Sequence, residues 1–261
     1  MAAAGAVARR GWRPPLARAG VLAGLMAGLI GVGGGIIMVP AMVSARVGLS
    51  QRVAAGTSLA AIVPIAVVGA LTYGGARQVD GFAAVCVIPG SVVGAIVGAR
   101  LTRHIPNRTL AIVFALVSLG VAVRLVIPAG LAEGGQPVSA TALHGVELTG
   151  AGVVAGVASG LLGIGGGVLI VPILTLGFGI SQQLAQGTSL AAIVPTGLSG
   201  AVTHQRMGHL HRGAAAILGV FGVAGAFVGA LLATRLPETP LRVAFALYLA
   251  TVGVRIAAGT R

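Results

Sequence analysis

Three consecutive glycines occur twice in this chain, at Gly33, Gly34 and Gly35 and again at Gly165, Gly166 and Gly167. Glycines that open a helix leave backbone N–H groups unpaired, and the positive end of the helix dipole adds to them. Such a run can hold an anion without a charged side chain. The residues that follow are apolar, Ile36 and Ile37 in one copy and Val168 and Leu169 in the other, so the backbone itself has to do the binding. A second matched set supplies hydroxyls, Thr57 with Ser58 and Thr188 with Ser189. Four hydroxyls at corresponding positions could surround one ligand. Two plainer roles compete: glycines let helices approach closely in a bilayer, and a helical threonine satisfies itself on its own backbone carbonyl.

The glycines belong to a larger pattern. GxGGGxxxVP runs from Gly31 to Pro40 and from Gly163 to Pro172, an offset of 132 residues, and GTSLAAIVP at Gly56 to Pro64 recurs unchanged at Gly187 to Pro195, an offset of 131. The single-residue difference falls near Ser44 to Val47. The chain is therefore a tandem duplication. Many membrane transporters are built from two internal repeats with the substrate site between them near the bilayer midplane, and a glycine break repeated in both halves points to that site.

Composition places the duplication in a membrane. Of 261 residues, 56% are hydrophobic and 8% charged, too apolar for a water-soluble surface. The net charge of +13 comes from 17 arginines with no lysine, scattered singly through connections beside only nine aromatics, which lacks the basic clusters nucleic acid requires. Arginines at the ends of spans anchor them and set orientation. A hydrocarbon core of about 30 Å needs roughly 20 apolar residues per helix. Eight stretches meet or approach this: Ala19 to Val43, Val53 to Tyr73, Phe82 to Leu101 and Leu110 to Ile127 in the first half, and Ala151 to Leu176, Leu184 to Thr203, Gly213 to Thr234 and Leu241 to Ala258 in the second. The expected fold is all-α and polytopic, two tandem four-span repeats over 19–127 and 151–258, with a basic tail over 1–18 and an inter-repeat linker over 128–150.

The first stretch of each repeat is too long and too glycine-rich for one simple helix. Each glycine costs about 1 kcal/mol of helix stability relative to alanine. Irregular backbone at membrane depth survives only where protein or a wet cavity satisfies it. A break is expected in both. If the stretch still crosses, the repeats have an even span count and lie parallel; if it re-enters, the count is odd and they are inverted. Both arrangements stay open at this point. Arg9, Arg10, Arg13 and Arg18 ahead of the first apolar stretch imitate a secretory signal, but that stretch is half of the duplication, so it reads as a retained span with a cytoplasmic anchor. With eight spans, ten arginines fall inside and seven outside, which favours cytoplasmic termini.

Other candidates are weaker. Pro64 and Pro195 kink their helices mid-span. Gly94 with Gly98, and Gly225 with Gly229, form GxxxG pairs suited to helix packing. Arg124 and Arg255 occupy equivalent places inside the fourth spans, where snorkelling is the ordinary role and pairing with an anion the alternative. Proton or sodium coupling would ordinarily leave an intramembrane carboxylate, but Asp80, Glu133, Glu147 and Glu238 all lie in or beside connections. No coupling residue is identified. His204, His209 and His211 share one short connection, suggesting a pH-sensitive loop more than a metal site. Cys86 is the lone cysteine, excluding disulfides and thiolate clusters. No dinucleotide fingerprint or catalytic triad is present, so an enzyme and a bound cofactor are not expected.

The paired GxGGGxxxVP runs, the paired GTS runs and the four-plus-four span count resemble the TauE/SafE family of sulfite exporters, from about Gly20 to Ala258. The family's glycine-rich motif corresponds to Gly31, Gly33, Gly34, Gly35 and Pro40 and to Gly163, Gly165, Gly166, Gly167 and Pro172. The resemblance implies a multi-pass permease of the bacterial cell membrane that moves small sulfur-containing anions such as sulfite or a sulfonate. Backbone donors and hydroxyls without carboxylates agree with an oxyanion, which needs several donors and repels acidic groups. The expected site comprises Gly33, Gly34, Gly35, Thr57, Ser58, Gly165, Gly166, Gly167, Thr188 and Ser189, with a small anion and membrane lipid as partners and no nucleic acid. The coupling ion, proton or sodium, and any homo-oligomer are left open. The alternatives are a carrier of a metal cation or neutral solute, and a non-transporting membrane assembly factor.

Overall fold

The computed structural model describes residues 13–44, 47–102, 119–120, 122–123 and 137–259. The basic residues of the tail before Arg13, most of the expected span Leu110 to Ile127, Arg124, Glu133 and the first part of the linker lie outside them. The described residues are helical with turns and short connections between. In chain order the helices are α1 (Arg13–Ile30), α2 (Gly35–Val43), α3 (Gln51–Gly75), α4 (Gly81–Leu101), α5 (Ala142–Leu162), α6 (Gly167–Pro172), α7 (Gln182–Arg206), α8 (Arg212–Ala233) and α9 (Glu238–Gly259). A π-helical turn, Ile173–Gly177, prolongs α6. The protein is thus an all-helical, polytopic membrane protein, with α3, α4, α5 and α8 each long and apolar enough to cross a bilayer. Helix α5 begins earlier than the apolar stretch at Ala151 suggested, because Thr141 accepts the His144 N–H as an N-cap and Leu143 and Val146 face outward, apolar although Glu147 lies beside them.

Both glycine breaks are present. Helix α1 stops at Ile30 and α2 starts at Gly35; α5 stops at Leu162 and α6 starts at Gly167. Gly34 and Gly166, the caps of α2 and α6, have φ of 77° and 84°, values a side chain rarely permits. After the break the chain folds back: Gly34 lies against the carbonyl of Ala23 on α1, and Gly166 faces that of Ala155 on α5. Each first stretch is therefore a hairpin, with α2 returning along α1.

Packing contacts fix the directions. Gly20, Gly24 and Gly28 of α1 meet Leu218, Gly222 and Ala226 of α8 in the same order, so α1 and α8 run parallel. Gly219 and Gly222 of α8 meet Ala61 and Ile65, so α3 runs with them. Gly90, Gly94 and Gly98 of α4 meet Thr149, Val153 and Val157 of α5, again in parallel. Ser91 and Ala95 meet Thr196 and Gly200, which adds α7 to that group. The two groups oppose each other, because Gly56 and Leu59 of α3 lie beside His204 and Gly200 of α7 while Gly69 and Tyr73 lie beside Leu190 and Gly187. Equivalent helices of the two repeats, α1 and α5, α3 and α7, α4 and α8, consequently point in opposite directions. The repeats are inverted.

The repeats are also interlocked. Each broken helix packs on the third helix of the other repeat through glycine stripes that bring backbone against backbone, including the GxxxG pairs Gly94 with Gly98 and Gly225 with Gly229. Helices α3 and α7 lie at the centre. Helix α7 is the polar one, yet Gln182, Gln186, Thr188, Ser189, Thr196 and His204 are all buried. Outward faces carry Leu71, Val85, Val154, Val220 and Phe227, which suit lipid.

Candidate functional site

The glycine breaks 31–35 and 163–167 pass each other antiparallel between α3 and α7. Gly35 abuts the Gly163 carbonyl and Ile164, and Gly167 abuts the Gly31 carbonyl and Val32. All ten residues are buried. A side chain at Gly35 or Gly167 would strike backbone of the opposite hairpin, so glycine is required there for the crossing itself. Ile62 and Ile193, equivalent residues at mid-length of α3 and α7, pack on Gly33 and Gly165. Helices α2 and α6 start at this crossing. Their first ladder bonds are donated by Ile37 and Met38 to the Gly34 carbonyl and by Leu169 and Ile170 to the Gly166 carbonyl. The N–H groups of Gly35, Ile36, Gly167 and Val168 therefore precede both ladders.

The breaks also free carbonyls. The α1 ladder ends with Gly31 N–H donating to Ala27 and the α5 ladder with Gly163 N–H donating to Ser159, both at 2.8 Å. The next carbonyl of α1, Gly28, accepts the Tyr73 hydroxyl at 2.9 Å. The equivalent carbonyl of α5, Gly160, accepts from His204 Nε2 at 2.9 Å. Tyr73 and His204 occupy corresponding positions near the ends of α3 and α7, and both are fully buried. Each packs beside a GTS-motif glycine of the other repeat, Gly187 for Tyr73 and Gly56 for His204. Ser189 Oγ donates to the Gly31 carbonyl at 2.8 Å, closing a further exposed acceptor. Gln186, packed against Gly31, sets its amide 2.9 Å from the Tyr73 hydroxyl, and the other end of that amide is buried without a partner.

Of the residues expected to form a site, the six glycines come together at the crossing. The four hydroxyls do not converge on one point. Ser189 faces the crossing through Gly31, and Ser58 Oγ lies 4.0 Å from the Met38 sulfur of α2. Thr57 and Thr188 lie one residue round the helix and hold connections instead. Thr57 Oγ1 accepts the His211 N–H at 2.9 Å, and Thr188 Oγ1 accepts the Asp80 N–H at 2.8 Å while donating to Leu184. These two bonds are equivalent by the repeat, each tying the α3–α4 or α7–α8 connection to the other repeat. Asp80 and His211 in turn cap α4 and α8, and Asp80 also accepts the Val138 N–H at 2.7 Å. Glu238 accepts the Gln182 N–H at 2.8 Å at the start of α7. Among the described residues no cluster of three metal-ligating side chains occurs. Tyr73, Gln186 and the Gly28 and Gly160 carbonyls were not singled out from sequence as site residues. Tyr73 and His204 already stood at the 131-residue offset, but their shared role depends on which carbonyl each reaches.

Two inverted hairpins that cross at duplicated glycine breaks, surrounded by apolar helices, define an integral membrane protein organised as transporters with internal repeats are. The family model for the sulfite exporter TauE/SafE matches residues 2–125 and 148–261, and the chain belongs to that family. It is 29% identical over 265 residues to a probable membrane transporter protein of Haemophilus influenzae, covering 91% of this chain and 95% of the relative. It is 28% identical over 213 residues to the probable membrane transporter protein YunE of Bacillus subtilis, covering 74% and 78%. A probable membrane transporter protein of Xylella fastidiosa is 28% identical over 217 residues, covering 83% of both chains. No solved structure matches the chain. General membrane transport is the activity these relatives share by name.

Proposed function

We propose that the protein is a permease of the cell membrane for small sulfur-containing oxyanions, sulfite or a sulfonate among them, held where the two hairpins cross. The observation that carries this reading is the buried crossing of the two glycine breaks, with Gly35 at the start of α2 against Gly163 and Gly167 at the start of α6 against Gly31, and no carboxylate among the described residues that pack on these glycines. A ligand held at the crossing would then have N–H groups and a dipole end of one repeat at each side of it. The donors of an oxyanion site here are the backbone of Gly33 to Gly35 and Gly165 to Gly167, flanked by Ser58 and Ser189. Thr57 and Thr188 act through the connections they hold. Ile62 and Ile193 are the side chains an entering anion displaces first. The N-terminus is assigned to the cytoplasm from the basic residues of the tail and the start of α1, Arg9, Arg10, Arg13 and Arg18.

Uptake of labelled sulfite, thiosulfate, sulfate and a sulfonate into liposomes tests the reading. Saturable flux of one of them, lost in Gly35→Ala protein that remains folded in detergent, is the expected result. Absence of flux for every anion, under either a pH or a sodium gradient, overturns it.

A further inference from the structure

The two freed carbonyls have different caps, and the difference is chemical. Tyr73 does for α1 what His204 does for α5: the same position in the repeat, the same distance of 2.9 Å and the same carbonyl three residues ahead of the break. A phenol performs this task without titrating near neutrality; an imidazole titrates there. Capping alone therefore does not call for histidine at the second position. His204 is fully buried in the last turn of α7, just before the connection to α8, so the structure places it in a helix and not in the connection expected from sequence.

The geometry leaves one place for a proton. Nε2 faces a carbonyl, so it carries hydrogen whether the ring is neutral or charged. Nδ1 is buried and has no hydrogen-bond partner among the described residues. A proton bound at Nδ1 keeps the Gly160 bond and adds a unit of positive charge to the ring that caps Gly160, three residues before Gly163 in the chain. Among the described residues, the titratable and charged groups around it are few, and a charge on the nearest of them opposes one on His204. His209 is the titratable group that faces His204, with ring centres 6.1 Å apart. Helix α3 presents Gly56 and α5 the Gly160 carbonyl, and the arginines nearest in sequence, Arg52 of α3, Arg206 of α7 and Arg212 of α8, are exposed. Asp80 and Glu238 are engaged near the opposite end of α7, and Glu147 is exposed near the start of α5.

We propose that His204 is the proton-binding residue of this transporter, taking up a proton at Nδ1 as the anion enters the crossing, so that proton and anion travel together. The inference rests on the anion-permease reading and adds to it the coupling ion and its residue. Binding is reciprocal: the anion favours the charged imidazole and the charged imidazole favours the anion. A monovalent anion and one proton cross without net charge, which a site with no other described buried cation needs.

The test uses an aromatic sulfonate, whose charge does not change across the pH range, in liposomes holding the full chain. Two quantities are read: counterflow at equal pH, and accumulation driven by an inward proton gradient of about two pH units, with proton entry followed by a trapped dye. The variants are H204Y, which copies the Tyr73 cap, and H204Q, which keeps an amide donor for Gly160. The wild-type protein is expected to accumulate sulfonate up to about a hundredfold above equilibrium, since each of the two pH units is worth about 1.4 kcal/mol and so a factor of ten. Proton entry accompanies it. In both variants counterflow persists at a reduced rate while gradient-driven accumulation and proton entry vanish. Accumulation that survives in either variant overturns the inference and leaves the permease reading intact. If neither variant folds, wild-type sulfonate entry without proton entry overturns it equally. Absence of wild-type counterflow for every anion overturns the permease reading and the inference with it.

Discussion

Single residues decide whether the hairpins can form. At Gly34 a Cβ would lie 2.5 Å from the Ala23 carbonyl oxygen, on a backbone with φ of 77°. The left-handed conformation alone costs an ordinary residue about 1–2 kcal/mol, and the contact adds to it. Gly34→Ala is expected to lower the thermal midpoint of the purified protein in detergent by several degrees, whereas Gly74→Ala, at a position open to its surroundings, leaves it within a degree or so. Tyr73→Phe makes a smaller, informative change. It removes the donor to the Gly28 carbonyl and leaves that group and the Gln186 amide short of a partner. An unmade buried hydrogen bond costs about 1–3 kcal/mol in water-soluble proteins, but inside membrane helices measured values average about 0.6 kcal/mol. The expected loss is therefore about 1 kcal/mol, read from unfolding in a denaturing detergent. A loss above roughly 3 kcal/mol would show that the cap supports much more than one bond.

Among elements, the glycine stripes of α1 with α8 and of α4 with α5 bring helix backbones together without a hydrophobic drive, since lipid competes equally for apolar side chains. Gly94 and Gly225 lie directly against backbone carbonyls of the facing helix, Val153 and Val21. Gly94→Leu or Gly225→Leu forces two helices apart and is expected to cost about 3 kcal/mol or more, seen as loss of monodisperse protein on gel filtration. The same substitution at Gly150, which has nothing close beside it, leaves the elution profile unchanged. These stripes join α1 to the second repeat and α5 to the first. Separately expressed halves are accordingly expected to be degraded alone and recovered together.

For the whole molecule, inversion makes a prediction that a parallel arrangement cannot share. The connections after α3 and α7 are equivalent in the repeat, yet α3 and α7 run in opposite directions, so the connections emerge on opposite faces of the membrane. In protein with Cys86 replaced by serine, single cysteines at Ala76 and at Arg206, both exposed, are the probes. One is expected to react with a membrane-impermeant thiol reagent in intact cells and the other only after permeabilisation. Labelling of both from the same side would refute the inverted arrangement.

Much of this protein was legible in its sequence because the informative signals are local or periodic. Apolar runs of bilayer length call for helices, consecutive glycines end them, and a motif repeated after 131 or 132 positions has to build the same unit twice. The class, the breaks and the family resemblance follow from those facts alone. What sequence could not supply is where the chain goes after a break. Glycine permits a through-helix offset or a reversal equally well, and the outcome depends on contacts such as Gly34 with Ala23 and Gly35 with Gly163, which only exist once both hairpins are in place. The inversion is likewise read from which helices lie side by side, and in which direction, and not from the chain order. It also separates Thr57 and Thr188, which a linear reading placed together, and it brings Tyr73 and His204 onto the carbonyls that the breaks expose. Hydropathy and motif spacing belong to neighbours along the chain; pairing of freed backbone groups belongs to neighbours in space.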